Sequence, residues 1–267
     1  MTFKTLLATV SALWLATAAG AEEMKMAVTT SFANSGLAEI LLPQIEKDTG
    51  ITVELLVVGT GQALKLGAAG DVDAALVHAR AAEEKFVADG DATHRREIMY
   101  NDFIVVGPSG DPAGAKAATT AKDAFATIAA AQAPFVSRGD DSGTHKAELA
   151  IWAAAGVEPS GDWYKAVGQG MGAALNTAAG MDAYIFADRA SWLNFGNKGD
   201  LALLFEGDPA LFNQYAYLPV NPEKHPHVKA EAAKALENWL TSDTAKALIE
   251  GYTIAGQQLF TFNAQPM

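Results

Sequence analysis

Short apolar segments that alternate with helical segments are the feature that most constrains the fold of this chain. The predicted strands at residues 24–30, 52–58 and 74–77 are each followed, after a brief turn, by a segment with helical periodicity. Strands linked in this way pair in parallel, because each connection crosses one face of the sheet. The sequence therefore predicts an α/β fold built from mostly parallel sheets flanked by helices.

Breaker residues divide the chain into two predicted lobes. The run GPSGDP at residues 107–112 has strong turn composition, and a strand at 215–220 that ends among prolines returns the chain. We expect residues 22–107 and 221–267 to form lobe 1 and residues 108–220 to form lobe 2. Two α/β lobes joined by two hinge strands are the arrangement of a hinged binding protein.

The first 21 residues predict a signal peptide. Lys4 supplies positive charge, residues 6–19 form an apolar run, and Ala19-Gly20-Ala21 is typical of a cleavage site. The apolar run is too short to span a bilayer. The chain contains no cysteine, which excludes disulfides, thiolate metal sites and a lipid anchor on cysteine. We expect the exported protein to be free in the periplasm.

Charge excludes one class of partner. The net charge is −12 and the sequence has no basic run that could follow a phosphate backbone, so nucleic acid is not an expected ligand. An acidic protein that binds an anion has to hold it in a local cradle, because its overall field repels the ligand.

The stretch SRGDDSGTHK at residues 137–146 has the composition of such a cradle. It follows an apolar run at 133–136 and precedes a predicted helix at 148–155. Free amides at a helix start attract anions, Ser142 and Thr144 add hydroxyl donors, and Arg138 adds a fork of N–H groups. Taken alone, the stretch fits an anion site and a simple capped turn equally well.

Three further turns extend this pattern. Thr29-Thr30-Ser31 and Gly59-Thr60-Gly61 both follow strand ends, where open α/β sheets present their ligands. Taken alone, Thr29-Thr30-Ser31 is more typical of a helix cap, and Gly59-Thr60-Gly61 of an ordinary turn. The turn GQGMG at 168–172 could form a nest for an anion, but it lacks the lysine of a P-loop.

Together these motifs, with Val77-His78-Ala79 and the run MYNDF at 99–103, resemble the TupA family of tungstate-binding proteins. The resemblance implies a type II periplasmic binding-protein fold and delivery of tungstate to the permease and ATPase of an ABC importer. It also implies a monomer without a cofactor or a direct protein–metal bond. The oxyanion donors that it implies are Thr30, Ser31, Thr60, Arg138, Ser142, Gly143 and Thr144.

Other functions stay open at this point. Molybdate has nearly the size and charge of tungstate, and monohydrogen phosphate would need a carboxylate acceptor such as Asp140 or Asp141. The spacing of Ser142 and His145 also allows a serine hydrolase, although the glycine before Ser142 is one place too far for a nucleophile elbow. We expect no enzyme activity.

Two residues outside the turns are given structural roles. We expect His78, at the end of an apolar strand, to be a core histidine, and Arg189 to form an ion pair.

Overall fold

The structure is a computed structural model that describes residues 22–265, so the predicted signal peptide lies outside the described residues. The strands are β1 (Glu22–Thr29), β2 (Ile51–Val58), β3 (Ala74–Val77), β4 (Arg96–Pro108), β5 (Phe135–Ser137), β6 (Tyr164–Ala166), β7 (Tyr184–Asp188), β8 (Leu201–Phe205), β9 (Phe212–Pro219), β10 (Thr253–Ile254), β11 (Gln257–Gln258) and β12 (Thr261–Phe262). The helices are α1 (Thr30–Ser35), α2 (Leu37–Thr49), α3 (Thr60–Ala69), α4 (Arg80–Ala88), α5 (Ala121–Ala130), α6 (Gly143–Ala154), α7 (Met171–Met181), α8 (Arg189–Asn194), α9 (Ala230–Leu240) and α10 (Asp243–Gly251).

Ten strands form one sheet in the order β2-β1-β3-β9-β4-β7-β5-β6, with β8 and β12 also paired to β4, and β10 and β11 form a separate two-stranded sheet. The outer strands pair in parallel, β1 with β2 and β3, and β5 with β6 and β7. The two central strands β4 and β9 run antiparallel to their neighbours. The predicted α/β fold is therefore confirmed, and within the large sheet each antiparallel pair includes β4 or β9.

Alternate residues of each strand enter cores on opposite faces of the sheet. In β1, Met26 and Val28 pack with α2, α9 and α10, whereas Ala27 packs with α3 and α4. In β4, Val105 packs with α5 and α6, whereas Val106 packs with α7. Because side chains alternate along a strand, each half of the sheet is covered by helices on both faces.

Strand β4 passes without a break from one half of the sheet to the other. Its residues 96–102 pair with β9, and its residues 103–106 pair with β7. All of β9 pairs with β3 or β4, so this strand belongs to the first half. These pairings lead us to propose lobe boundaries at Asp102/Phe103 and before Phe212, instead of after residues 107 and 220.

Several helices begin earlier than the sequence predicts. Thr30 and Ser31, placed in a turn by the sequence, open a helix that runs from Thr30 to Ser35, because Thr29 caps α1 by accepting a hydrogen bond from Phe32 N (3.3 Å). Helix α6 begins at Gly143 instead of residue 148, because Ser142 accepts a hydrogen bond from His145 N (3.1 Å). Helix α3 likewise begins at Thr60, inside the predicted turn Gly59-Thr60-Gly61. Predicted hydroxyl donors therefore lie within the first turns of helices.

No helix in the range 22–265 is long and apolar enough to cross a membrane.

The aromatic core beneath α5 and α6 generates a stability prediction. The ring of Phe125 is fully buried and lies 4.4 Å from Trp152 and 5.6 Å from Phe135, centroid to centroid. We expect Phe125→Ala to lower the free energy of unfolding by about 3–5 kcal/mol, because it opens a cavity in a close-packed core. The control is Leu149→Ala on the exposed side of α6, 42% exposed, which should cost less than about 1 kcal/mol. Urea unfolding of both variants measures the difference, and equal losses would contradict this assignment of the core.

Candidate functional site

The loop between β5 and α6 holds its shape through two residues with left-handed backbone. Gly139 has φ +59°, and a Cβ there would lie 2.8 Å from Ala166 Cβ. Asp141 has φ +58°. This sharp turn brings Ser142 to the N-cap position of α6, where Gly143 and Thr144 form its first turn. The amides of that turn have no intrahelical acceptor, so the loop delivers free donors to the end of the sheet.

Arg138 is buried in this loop, with only 2% of its surface exposed. Its Nη2 donates to Thr30 Oγ1 (3.1 Å) and to Asp140, and its Nε donates to Gln169 O (3.3 Å). The ion pair with Asp140 offsets the cost of burying the guanidinium. Asp140 Oδ1 accepts a hydrogen bond from Ser142 N (3.2 Å), so both oxygens of this carboxylate are engaged.

The first turns of α3 and α6 lie side by side, as do those of α1 and α7. An atom at the Cβ position of Gly59, the residue before α3, would lie 3.8 Å from Ser142 Cα. An atom at the Cβ position of Gly170, the residue before α7, would lie 3.8 Å from Thr30 Cγ2. Arg138 joins the two pairs through Thr30. The structure thus brings all seven predicted donor residues to one region where helix dipoles are positive.

Three hydroxyls near this region are buried without a hydrogen-bond partner within the described part of the chain. They are Thr60 Oγ1 and Thr144 Oγ1, at the starts of α3 and α6, and Ser137 Oγ at the end of β5. A buried hydroxyl without a partner costs about 1–3 kcal/mol, and native proteins keep few of them without a reason. A ligand that accepts hydrogen bonds supplies that reason for the two threonines.

Ser31 lies one layer behind these groups and is fully buried. Its Oγ is 2.8 Å from His78 Nε2, 3.0 Å from Thr29 Oγ1 and 3.3 Å from Tyr215 Oη. Burial, together with the charge of Arg138, lowers the pKa of His78 to about 3, so the ring is neutral at physiological pH. His78 is buried as predicted, but its Nδ1 has no hydrogen-bond partner in the described part of the chain. Its link to Ser31 was not predicted, because 47 residues separate the two along the chain.

A buried carboxyl lies one turn further along α6. Glu148 is 1% exposed and accepts hydrogen bonds from Tyr164 Oη (2.9 Å) and Trp152 Nε1 (3.2 Å). Burial raises its pKa to about 7 from an ordinary value of 4.5. Burial also raises the pKa of Asp188, whose Oδ1 accepts a hydrogen bond from Ser191 N (2.8 Å) at the start of α8. Both shifts favour the neutral form of a carboxyl close to a region suited to an anion.

The remaining predicted residues fall into structural roles. Arg189 makes a bidentate ion pair with Asp102 (2.7 and 2.6 Å) and a further contact with Glu206 (2.5 Å), as its predicted ion pair requires. The turn at 168–172 contacts the site region through Gln169 O, which accepts from Arg138, and through Gly170 beside Thr30.

A serine hydrolase would need a hydrogen bond between the ring of His145 and the Ser142 hydroxyl. Ser142 Oγ accepts a hydrogen bond from the backbone N–H of His145, and His145 Nδ1 accepts one from Asp141 N (3.2 Å). Between residues 22 and 265 the ring of His145 makes no hydrogen bond with Ser142 Oγ. A general base has to reach the nucleophile, so this geometry gives no support to nucleophilic catalysis.

The described residues also contain no group of three or more His, Cys, Asp or Glu side chains that could hold a metal ion directly. An anion held by N–H and O–H donors is the ligand class that the geometry fits.

Comparisons with known proteins agree with this ligand class. A family model described as the PBP superfamily domain matches residues 16–244. The tungstate-binding protein TupA of Peptoclostridium acidaminophilum is 48% identical over 243 residues, which cover 90% of this chain and 85% of that protein. The TupA protein of Campylobacter jejuni is 35% identical over 237 residues, covering 87% of this chain and 88% of that one.

Two solved structures are similar over most of their length. The structure described as the tungstate ABC transporter from Geobacter sulfurreducens is 49% identical with a TM-score of 0.81, covering 86% of this chain and 99% of that one. The tungstate binding protein TupA from Desulfovibrio alaskensis G20 is 44% identical with a TM-score of 0.78, covering 92% of this chain and 100% of that one.

Glu148 generates a prediction of pH-dependent stability. Its folded pKa of about 7 exceeds the ordinary 4.5, so the folded protein keeps a proton that the unfolded chain releases in that interval. Stability due to this group is therefore present at acidic pH and is lost as pH rises towards 7. We expect Glu148→Gln to gain about 2–3 kcal/mol relative to the parent between pH 5 and pH 8.

Urea unfolding of the parent and Glu148→Gln at both pH values measures this difference. Glu54→Gln, an exposed substitution on β2, is the matched control and should show no such change. A constant difference between Glu148→Gln and the parent would contradict the raised pKa.

Proposed function

This chain belongs to the PBP superfamily and, within it, to the TupA family of tungstate-binding proteins, and from that premise we propose that it captures tungstate for an ABC importer. One observation carries the proposal: Thr60 and Thr144 hold buried hydroxyls without partners in the described chain, at two adjacent helix starts beside buried Arg138. Hydroxyls, free amides and one guanidinium are the donors that a tetrahedral oxyanion requires.

The state of the acidic residues favours a fully deprotonated anion over monohydrogen phosphate. Phosphate with one proton needs a carboxylate acceptor, and Asp140, the carboxylate among the proposed donors, is already held by hydrogen bonds from Arg138 and from Ser142 N. Asp141 is exposed and pairs with Lys146 (2.5 Å). Tungstate and molybdate need donors only. Because those two anions are nearly equal in size and charge, the choice of tungstate depends on the relatives, and we expect molybdate to bind as well.

The seven donor residues come from both proposed lobes. Thr30, Ser31 and Thr60 lie in the half that contains β1 and β2, and the other four lie in the half that contains β5. We infer that the lobes close on the anion by rotation about the crossing strand β4. The permease of the importer would recognise the closed form, and the protein would act as a monomer in the periplasm.

Purified protein without residues 1–21 should be stabilised strongly by tungstate. A ligand at about 1,000 times its dissociation constant adds about 4 kcal/mol to the folded state, which raises Tm by on the order of 10 °C. Molybdate should give a similar or smaller shift, and sulfate and phosphate should give little. Thermal unfolding with each anion at matched ionic strength measures these shifts. Equal stabilisation by phosphate would replace the tungstate assignment with a phosphate-binding one.

The two threonines and Arg138 should contribute to affinity in a defined order. Thr60→Val and Thr144→Val each remove one donor and should weaken tungstate binding about tenfold, near 1.4 kcal/mol. The free proteins should be no less stable, because a buried hydroxyl without a partner has been removed. Arg138→Ala leaves Asp140 unopposed beside a dianion and should cost at least a factor of about 100. Arg138→Lys should fall between, because lysine keeps the charge without the fork.

Calorimetric titration with tungstate ranks these variants. Thr177→Val, on the exposed surface of α7, is the control and should bind like the parent. If Arg138→Ala binds as tightly as the parent, the anion site lies elsewhere.

A further inference from the structure

His78 contacts two of the proposed donors, one from each half of the molecule. It lies between β3 and α4 and is 6% exposed. Its Nε2 is 2.8 Å from Ser31 Oγ in the same half. On its other side the ring faces Gly143 of α6, where a Cβ would lie 2.7 Å from both His78 Cε1 and His78 Nδ1.

This contact lies where the two halves meet. His78 and Gly143 line one cleft of about 620 Å³, which is bounded by Arg80 of α4 on one side and Lys146 of α6 on the other. The surrounding rings hold the histidine in place, with Tyr215 at 4.7 Å and Phe103 at 6.0 Å between centroids. The start of α6 therefore rests on a fixed ring and not on a mobile side chain.

Gly143 is required here by space and not by backbone conformation. It occupies the first position of α6, and its φ lies outside the left-handed region, so any L-residue could adopt its backbone. A Cβ would also lie 2.8 Å from the His78 carbonyl oxygen, which cannot rotate away. An added methyl group would hold α6 away from the opposite half.

We propose that His78 is a positioning residue of the tungstate site, on which the first turn of α6 seats when the lobes close. The same ring holds the Ser31 hydroxyl through Nε2, so seating α6 and orienting a lobe 1 donor depend on one side chain. This inference rests on the proposed function, because it assigns the ring a task only when an anion draws the lobes together. The neutral state of the ring means that it positions donors without adding charge to the site.

The test is a double-mutant cycle on Gly143 and His78, measured by titration with tungstate. Gly143→Ala should weaken binding at least a hundredfold, while Tm without tungstate stays within 2 °C of the parent, roughly the effect expected of a surface change. His78→Ala should weaken binding about tenfold through loss of the bond to Ser31. Removing the ring relieves its clash with the methyl group added by Gly143→Ala but leaves the His78 carbonyl oxygen in place, so rescue should be partial. The double variant should bind several-fold more tightly than two independent losses would predict, on the order expected for residues in contact.

Matched variants separate closure from general damage. Gly180→Ala in α7, which has open space around its Cβ position, is the control and should bind like the parent. His78→Gln restores a polar group near the position of Nε2 and should lose less affinity than His78→Ala. X-ray scattering with saturating tungstate should show compaction of the parent and of Gly180→Ala, but not of Gly143→Ala.

Each outcome is decisive for one of the two claims. If the parent itself does not bind tungstate, the proposed function fails. If the parent binds tungstate and Gly143→Ala binds it equally well, the role of His78 as a seat is overturned. The same follows if the loss of affinity in the double variant equals the product of the losses in the two single variants. If Gly143→Ala lowers Tm by much more than about 2 °C when tungstate is absent, the contact already stabilises the protein without ligand. It then belongs to the resting fold and not to closure.

Discussion

The pairing of Arg138 with Asp140 is the interaction on which the rest of the site depends. A guanidinium that is 2% exposed cannot stay buried without compensation, and Asp140 supplies it from two residues away. The same carboxylate accepts the Ser142 amide, which fixes the cap of α6. One short loop therefore sets the position of the positive charge and of the helix start together. The two hydrogen bonds hold Asp140 in the loop, beside a region rich in donors.

An acidic protein can attract an anion only where its fold arranges donors against its own net charge of −12. The first turns of α3 and α6 lie together, and each carries a threonine hydroxyl that is buried without a partner in the described structure. Burial also raises the pKa of Glu148 and of Asp188, which moves nearby carboxyls towards their neutral forms. The arrangement of donors and the desolvation of nearby carboxyls thus both make the region more favourable for an anion.

Under the proposed function, the hydrogen bonds already present around the site bear on which anion binds and on how the two halves close. Ser31 is surrounded by Thr29, His78 and Tyr215, so its orientation depends on neighbours in its own half. Gly143 approaches the same histidine from the other half. Under the proposed function, a fully deprotonated oxyanion needs donors only, and the proposed donors come from both halves. The arrangement couples recognition of the anion to the distance between the halves.

The sequence by itself determined the α/β class and the first three strands, and its resemblance to the TupA family supplied the candidate donors. Periodicity placed β1–β3 to within two residues, because that signal is local. It could not determine where α1 and α6 begin, since caps depend on bonds such as Thr29 Oγ1 with Phe32 N. Nor could it show that β9 inserts between β3 and β4, or that His78 meets Ser31 and Gly143. Those contacts join distant segments, and only tertiary packing brings such segments together.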